Sequence, residues 1–227
     1  MNKLYVCGDS FASLVHNQEQ GKSWSEIVAT KQSLVLENLA RPAASNVAIA
    51  MQIDYLLPEL TAKDTVIILL TDHYRLTVAT APVTYSNQLL TQMLPHEQQL
   101  AHTAYQGNNL VSVNITNPKW QRYFEHGYDP VLQNYIEYNV VQSAINRLHH
   151  ATDNYIIISG GWARRLAVPK ASAELFQVPE SNFLNCTQEA MLALNNSTQQ
   201  DYINHLDNMA HAKLANTILM KLRSTNE

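Results

Sequence analysis

Short, uncharged apolar runs set far apart in the chain most constrain its fold. Thr65–Leu70 is the clearest run, because every position is either β-branched or leucine. A strand that is apolar on both faces is typical of the centre of a parallel sheet, where helices cover both sides. Similar runs stand at Leu4–Cys7 and Tyr155–Ser159, and Leu34–Leu36 predicts a shorter strand. We therefore expect a largely parallel sheet.

The segments between these runs have the spacing of helices. Residues 23–32 predict a helix that Ser23 caps, with Glu26 completing a capping box. Further helices are predicted at 47–60, 131–150 and Leu206–Leu222. The expected core face of the last helix consists of Met209, Leu214, Ile218 and Leu222. Strands that alternate with helices along the whole chain indicate an α/β fold with helices on both faces of the sheet.

Length and charge narrow the possible functions. The 227 residues fit one large domain over 1–227, with an insertion at about 76–130 that has a helical stretch near 86–105. Residues 163–200 are predicted to be loop and short helix. The net charge of −4 and the lack of a basic stripe argue against a nucleic-acid partner. No run is long enough to span a membrane and the start lacks a signal peptide, so we expect a cytoplasmic protein.

The tripeptide Gly8-Asp9-Ser10 directly follows the first predicted strand. The carboxyl end of a strand is the usual place of reactive groups in open α/β sheets. A helix beginning at Ser10 would bring the positive end of its dipole to an anionic intermediate. Ser10 is therefore a candidate nucleophile, and the alternative is a serine that only caps a helix.

A nucleophilic serine needs a base, usually a histidine that a carboxylate holds in place. Asp201 and His205 stand just before the last helix, where the chain can return to the carboxyl edge of the sheet. Such a pair is also common among surface and capping residues. A second alternative makes His205, Asp207 and His211 metal ligands, but their spacing matches no zinc signature. We expect neither a metal nor a cofactor.

Gly8-Asp9-Ser10 near the start, together with Asp201 and His205 before the final helix, resembles the SGNH (GDSL-type) hydrolases. The resemblance runs through four separated blocks over nearly the whole chain. It implies a flavodoxin-like, three-layer α/β/α sandwich around a central parallel sheet. In the last block, one residue more separates Asp201 from His205 than the family pattern has.

The two middle blocks imply where an oxyanion would be held. The second block corresponds to residues 38–46, in which Ala43 stands in place of the family's glycine and Asn46 is a further oxyanion or binding candidate. The third block follows the strongest strand, and the family has an oxyanion-binding asparagine there. By simple count His73 takes that place, and a slip of one or two residues would put Thr71 or Asp72 there.

The resemblance implies the mechanism of a serine esterase or sugar O-deacetylase. His205 takes the proton of Ser10 as the hydroxyl attacks a carbonyl, and the backbone N–H groups of Ser10 and Ala43 hold the oxyanion, assisted by His73. The substrate is then a small-molecule or glycan ester.

Two further residues are candidates to line the substrate, Arg75 and Trp162. A structural salt bridge is the alternative for Arg75, and burial in the core is the alternative for Trp162. A second class of function also stays open, a binding or structural module with the SGNH fold and no turnover.

Overall fold

A five-stranded parallel sheet forms the centre of the molecule, with strand order β2-β1-β3-β6-β7. The computed structural model describes residues 1–14, 22–41, 44–72, 76–77, 110–111, 122, 125–162, 171–195 and 206–225. The sheet strands are β1 (Lys3–Cys7), β2 (Val35–Asn38), β3 (Thr65–Leu69), β6 (Tyr155–Gly160) and β7 (Phe183–Thr187). Two short strands, β4 (Leu76–Thr77) and β5 (Leu110–Val111), form a separate antiparallel pair.

Helices pack on both faces of this sheet. They are α1 (Trp24–Gln32), α2 (Asn46–Leu56), α3 (Pro130–Ala151), α4 (Gln188–Leu192) and α5 (Asn208–Thr225). The predicted capping box of α1 is present, since Ser23 and Glu26 each accept a hydrogen bond from the backbone N–H of the other. Helix α2 ends earlier than predicted, because Pro58 cannot continue an α-helix and the chain makes a 3₁₀ turn over Leu57–Glu59.

Alternate residues of the strands build two separate cores. Leu4 and Val6 of β1 point to the face that α1 and α5 cover, whereas Tyr5 and Cys7 point to the face under α2 and α3. Every residue of β3 is buried, as its apolar sequence predicts for a central strand. The predicted fold class, a flavodoxin-like parallel sheet between helices, is therefore confirmed.

Two expectations, one about the sheet and one about the last helix, are wrong. Strand β7 lies inside the segment predicted as loop and short helix, and its mixed sequence escaped detection because this edge strand is mostly only half-buried. Met209 is 46% exposed and does not belong to the core face of α5, although Leu214, Ile218 and Leu222 do. The helix predicted near 86–105 lies outside the described residues. Among the described helices, none is both long and apolar enough to span a membrane.

Candidate functional site

Ser10 lies in a turn at the carboxyl end of β1, and it is partly exposed. The Asp9 carbonyl accepts hydrogen bonds from the N–H groups of Ala12 and Ser13 at 3.1 and 3.0 Å. The predicted helix start at Ser10 is wrong for the described residues up to Leu14, which form this turn. Asp9 caps the turn through its side chain, whose Oδ1 accepts from the Phe11 N–H.

Side chains of other elements fix the turn from outside. The indole N–H of Trp24 donates to the Phe11 carbonyl at 2.8 Å, and the Asn38 amide donates to the Ala12 carbonyl at 2.7 Å. Gly8 lets the turn approach β3 closely, since a Cβ there would lie 3.2 Å from the Cβ of Leu69. The backbone that carries Ser10 is consequently held by several independent hydrogen bonds.

The buried Asp9 carboxylate ties three strand ends together. Its Oδ1 accepts from the Phe11 N–H at 2.9 Å, and its Oδ2 accepts from the Thr71 hydroxyl at 2.7 Å and from Gln188 Nε2 at 3.2 Å. Thr71 follows β3, and Gln188 begins α4 directly after β7. A buried carboxylate is costly unless it is hydrogen-bonded. These donors satisfy Asp9 and hold the Ser10 turn against two other strand ends.

Asn46, the first residue of α2, clamps the backbone of Thr71. Its Oδ1 accepts from the Thr71 N–H, and its Nδ2 donates to the Thr71 carbonyl, both at 2.9 Å. The second Nδ2 hydrogen goes to Glu137 Oε2, also at 2.9 Å. Both amide hydrogens are thus engaged, so the predicted donation to an oxyanion would require one of these bonds to break.

Gln52, also on α2, makes a similar pair of bonds to Gly8. Its Oε1 accepts from the Gly8 N–H at 2.8 Å, and its Nε2 donates to the Gly8 carbonyl at 3.3 Å. The two amides of α2 therefore satisfy backbone groups at the carboxyl ends of both β1 and β3.

Glu137 is a buried carboxyl that the sequence reasoning missed. It lies on α3, where its Oε1 accepts from Gln133 Nε2 at 2.9 Å. Burial raises the pKa of Glu137 to about 8; the hydrogen bonds from Asn46 and Gln133 oppose this shift, and the charge of Asp72 adds to it. The carboxyl is therefore largely neutral at pH 7.

The sequence did carry a signal for this residue. Glu137 stands on the buried stripe of α3 together with Val141, Ala144 and Leu148. A glutamate in an apolar stripe of helical spacing is rarely buried without a partner. Asn46 and Gln52 give the same signal on the buried face of α2.

Trp162 is both buried and beside a cavity. Its ring packs edge-on against Phe176, with centroids 5.2 Å apart. The cavity has a volume of about 360 Å³. Its lining consists of Val131, Asn134, Tyr135, Tyr138, Trp162 and Leu175. The two roles weighed for Trp162 are therefore compatible, and contact with a substrate stays a prediction.

Two glycines before Trp162 bring the end of β6 against the end of β3. Gly160 has φ +53°, and a Cβ there would lie 1.8 Å from the Leu70 carbonyl oxygen. At Gly161 a Cβ would lie 2.6 Å from the Asp72 nitrogen. Both positions therefore need glycine, the first for its backbone conformation as well.

Several predicted site residues lie outside the described part of the chain, so their roles and the pairing of Ser10 with a base stay predictions. They are Ala43, His73, Arg75, Asp201 and His205.

Two of the residues weighed as metal ligands are engaged at helix starts. His211 Nδ1 accepts from the Trp24 N–H at 3.2 Å, and Asp207 Oδ1 accepts from the Ala210 N–H at 2.8 Å. Within the described ranges, no three histidine, cysteine or acidic side chains gather as metal ligands would. His205, the third residue of that alternative, lies outside those ranges.

Comparisons with known proteins add a relationship at the level of the fold. No protein-family model matches this sequence, and no curated protein matches it. Among solved structures, the protein YxiM from Bacillus subtilis is similar, with a TM-score of 0.53 and 12% sequence identity. The match covers 99% of this chain and 57% of the YxiM chain, so this chain spans little more than half of that length. YxiM has a flavodoxin-like structure of the SGNH type, and at this identity the likeness is one of fold alone.

Proposed function

We propose that this protein is a serine hydrolase of the SGNH type that acts on carboxylic esters, with Ser10 as its nucleophile. The observation that carries the proposal is the Ser10 turn at the carboxyl end of β1. Ser10 is partly exposed, while the neighbouring Asp9 is fully buried and hydrogen-bonded to two other strand ends. Rigid support of an accessible nucleophile is what acyl transfer requires.

In the proposed reaction, His205 accepts the proton of Ser10 as its oxygen bonds to the ester carbonyl carbon. Asp201 orients His205, and the backbone N–H groups of Ser10 and Ala43 hold the oxyanion, with His73 assisting. The alcohol leaves with the proton from His205. Water then attacks the acyl-enzyme, giving its proton to His205, and the acid is released as the proton returns to Ser10.

The charge around the site supports this chemistry. Thr71 and Gln188 donate to Asp9, which offsets part of that carboxylate's negative charge. Glu137, with a pKa of about 8, adds little negative charge at pH 7. Both effects reduce the negative charge in this part of the molecule, and an oxyanion forms more readily where less negative charge opposes it.

The cavity beside Trp162 supports an ester with a bulky acyl or alcohol part. One strand separates β1 from β6, so the two strand ends lie about 10 Å apart. That distance lets a substrate reach from Ser10 to the cavity, whose aromatic and aliphatic lining suits an apolar chain or the apolar face of a sugar. Arg75, by its place after β3, is proposed to bind a substrate oxygen.

The test combines covalent labelling with hydrolysis. A fluorophosphonate probe is expected to label the wild type at Ser10, and Ser10→Ala is expected to remove both labelling and the hydrolysis of p-nitrophenyl acetate. Ser143→Ala, which removes an exposed hydroxyl from α3, is the control and should keep both. Melting curves of the two variants show whether each is folded.

A second candidate function is an SGNH-fold module that binds a ligand without turnover. The engaged amide of Asn46 favours it, because neither amide hydrogen is free for an oxyanion. Equal background rates for wild type and Ser10→Ala would decide for this module and against the hydrolase.

A further inference from the structure

We infer that Glu137 is a positioning residue for the Ser10 turn and that it acts through Asn46 and Thr71. The inference rests on the proposed function, since it concerns how the nucleophile is held. Glu137 lies on α3, whereas Asn46 lies on α2 and Thr71 follows β3.

The first half of the path leads from α3 to the end of β3. Glu137 Oε2 accepts from Asn46 Nδ2 at 2.9 Å, and Asn46 binds both backbone groups of Thr71 at 2.9 Å. All three residues are fully buried. If Asn46 lost this acceptor, its amide hydrogen would be buried without a partner, which is energetically costly. Asn46 would then shift towards another acceptor, and Thr71, which it binds, would shift with it.

The second half of the path leads from Thr71 to the nucleophile. The Thr71 hydroxyl donates to Asp9 Oδ2 at 2.7 Å, and Asp9 Oδ1 accepts from the Phe11 N–H at 2.9 Å. Asp9 and Phe11 are the two chain neighbours of Ser10. Displacement of Thr71 is therefore passed directly to the backbone on both sides of the nucleophile.

The ionisation of Glu137 makes this path sensitive to pH. The groups known to act on its carboxyl are Asn46 from α2, Gln133 from its own helix and the charge of Asp72 from the end of β3. Above a pKa of about 8 the carboxylate repels Asp72 but attracts Asn46, which holds the neighbouring Thr71, so the two residues at the end of β3 are pulled in opposite directions. We expect hydrolysis to fall as pH rises through this value.

Two variants of similar shape distinguish the effect of the hydrogen-bond acceptor on Glu137 from the effect of its side-chain volume. Glu137→Gln keeps an oxygen for Asn46, because the partly buried Gln133 can turn its amide to accept from the new Nε2. Glu137→Met fills the same space without an acceptor. Asn139→Ala, on an exposed position of the same helix, is the control.

Steady-state hydrolysis of p-nitrophenyl acetate between pH 6 and 9 gives the first readout. Glu137→Met is expected to lower kcat about 10-fold or more, since displacement by about 1 Å can cost about 100-fold, with KM changed less than about 2-fold. Glu137→Gln should keep the wild-type kcat at pH 6 and lose the fall near pH 8. A wild-type kcat in Glu137→Met, or a wild-type pH profile in Glu137→Gln, would overturn the inference.

Amide hydrogen exchange gives a readout that needs no turnover. Peptides covering Gly8–Ser13 and Leu69–Asp72 should exchange faster in Glu137→Met and at the wild-type rate in Glu137→Gln and Asn139→Ala. If Ser10→Ala hydrolyses as fast as wild type, the proposed function fails, and exchange alone then decides whether Glu137 holds the turn. Unchanged exchange in Glu137→Met would refute the positioning role in either case.

Discussion

Two buried carboxyl groups, at opposite ends of the strands, have pKa values that are shifted in opposite directions. Asp64, just before β3, accepts from the Lys3 N–H at 2.7 Å and from the Thr61 N–H and hydroxyl at 2.9 and 2.8 Å. Burial raises the pKa of Asp64, but these hydrogen bonds outweigh burial and the net pKa is lowered. Burial also raises the pKa of Glu137, and the hydrogen bonds from two side-chain amides oppose this rise only in part, so the pKa reaches about 8.

The difference teaches what each edge of the sheet does. At the amino ends of the strands, the charged carboxylate of Asp64 stabilises a turn, because backbone N–H groups point at it and stabilise its charge. At the carboxyl edge a carboxyl is kept near its titration point by burial and by the charge of Asp72. Groups held in this way cluster at functional sites, which agrees with the position of Ser10 at this edge.

The largest effect is expected in the pH dependence of Glu137→Gln. Wild-type Glu137 has a raised pKa, so its contribution to stability is fully present below the unfolded value near 4.5 and is lost as pH rises to about 8. The free energy of unfolding of the variant minus that of wild type should rise by at most about 1.4 kcal/mol per pH unit in this window. Urea unfolding at pH 5, 6, 7 and 8 measures it, and a flat difference would contradict the raised pKa.

The next effect concerns the two amide clamps of α2. Asn46→Ala leaves both backbone groups of Thr71 and one acceptor of Glu137 without their partner, at a cost of about 3 kcal/mol or more in unfolding free energy. Gln52→Ala is the comparison and should cost about 1 to 2 kcal/mol, because the Gly8 carbonyl keeps its bond from the Arg41 N–H. Urea unfolding at pH 7 measures both, and an equal or larger loss in Gln52→Ala would speak against the Asn46 clamp.

The smallest effect is expected for Asp64→Asn. At pH 7 the variant should lose about 1 to 2 kcal/mol of unfolding free energy, because an amide cannot accept all three hydrogen bonds. The lowered pKa of Asp64 means that its contribution is present above about 4 and is lost as pH falls through the folded value. The deficit of the variant should therefore shrink in acid, opposite to the trend for Glu137. Its rate of ester hydrolysis should equal the wild-type rate, and a lower rate would mean that the two edges are coupled.

Local patterns in the sequence predicted many of the elements. Ser23 and Glu26 specify the start of α1 within four residues, and the uniform apolar run of β3 needs no distant information. Strand β7 was missed, because an edge strand that is mostly half-buried carries polar residues among its apolar ones. The turn after β1 was mistaken for a helix start, since Asp9 caps a turn with the same chemistry that caps a helix.

The candidate site was predicted only in part. The sequence predicted Ser10 at the end of a strand, and the structure describes it there. It did not predict Glu137, although a glutamate on the apolar stripe of α3 marks a buried polar contact. The pairing of Ser10 with His205 stays a prediction, because His205 lies outside the described residues.

The sequence by itself determined the layers of this protein: apolar strands alternate with amphipathic helices, and hydrophobic burial then demands a sheet covered on both faces. It also determined that a hydroxyl follows the first strand. Only the tertiary structure decided which polar side chains meet around that hydroxyl. Asn46 and Glu137 are 91 residues apart and Asp9 and Gln188 are 179 apart, and such contacts depend on strand order and on how each helix is rotated against the sheet.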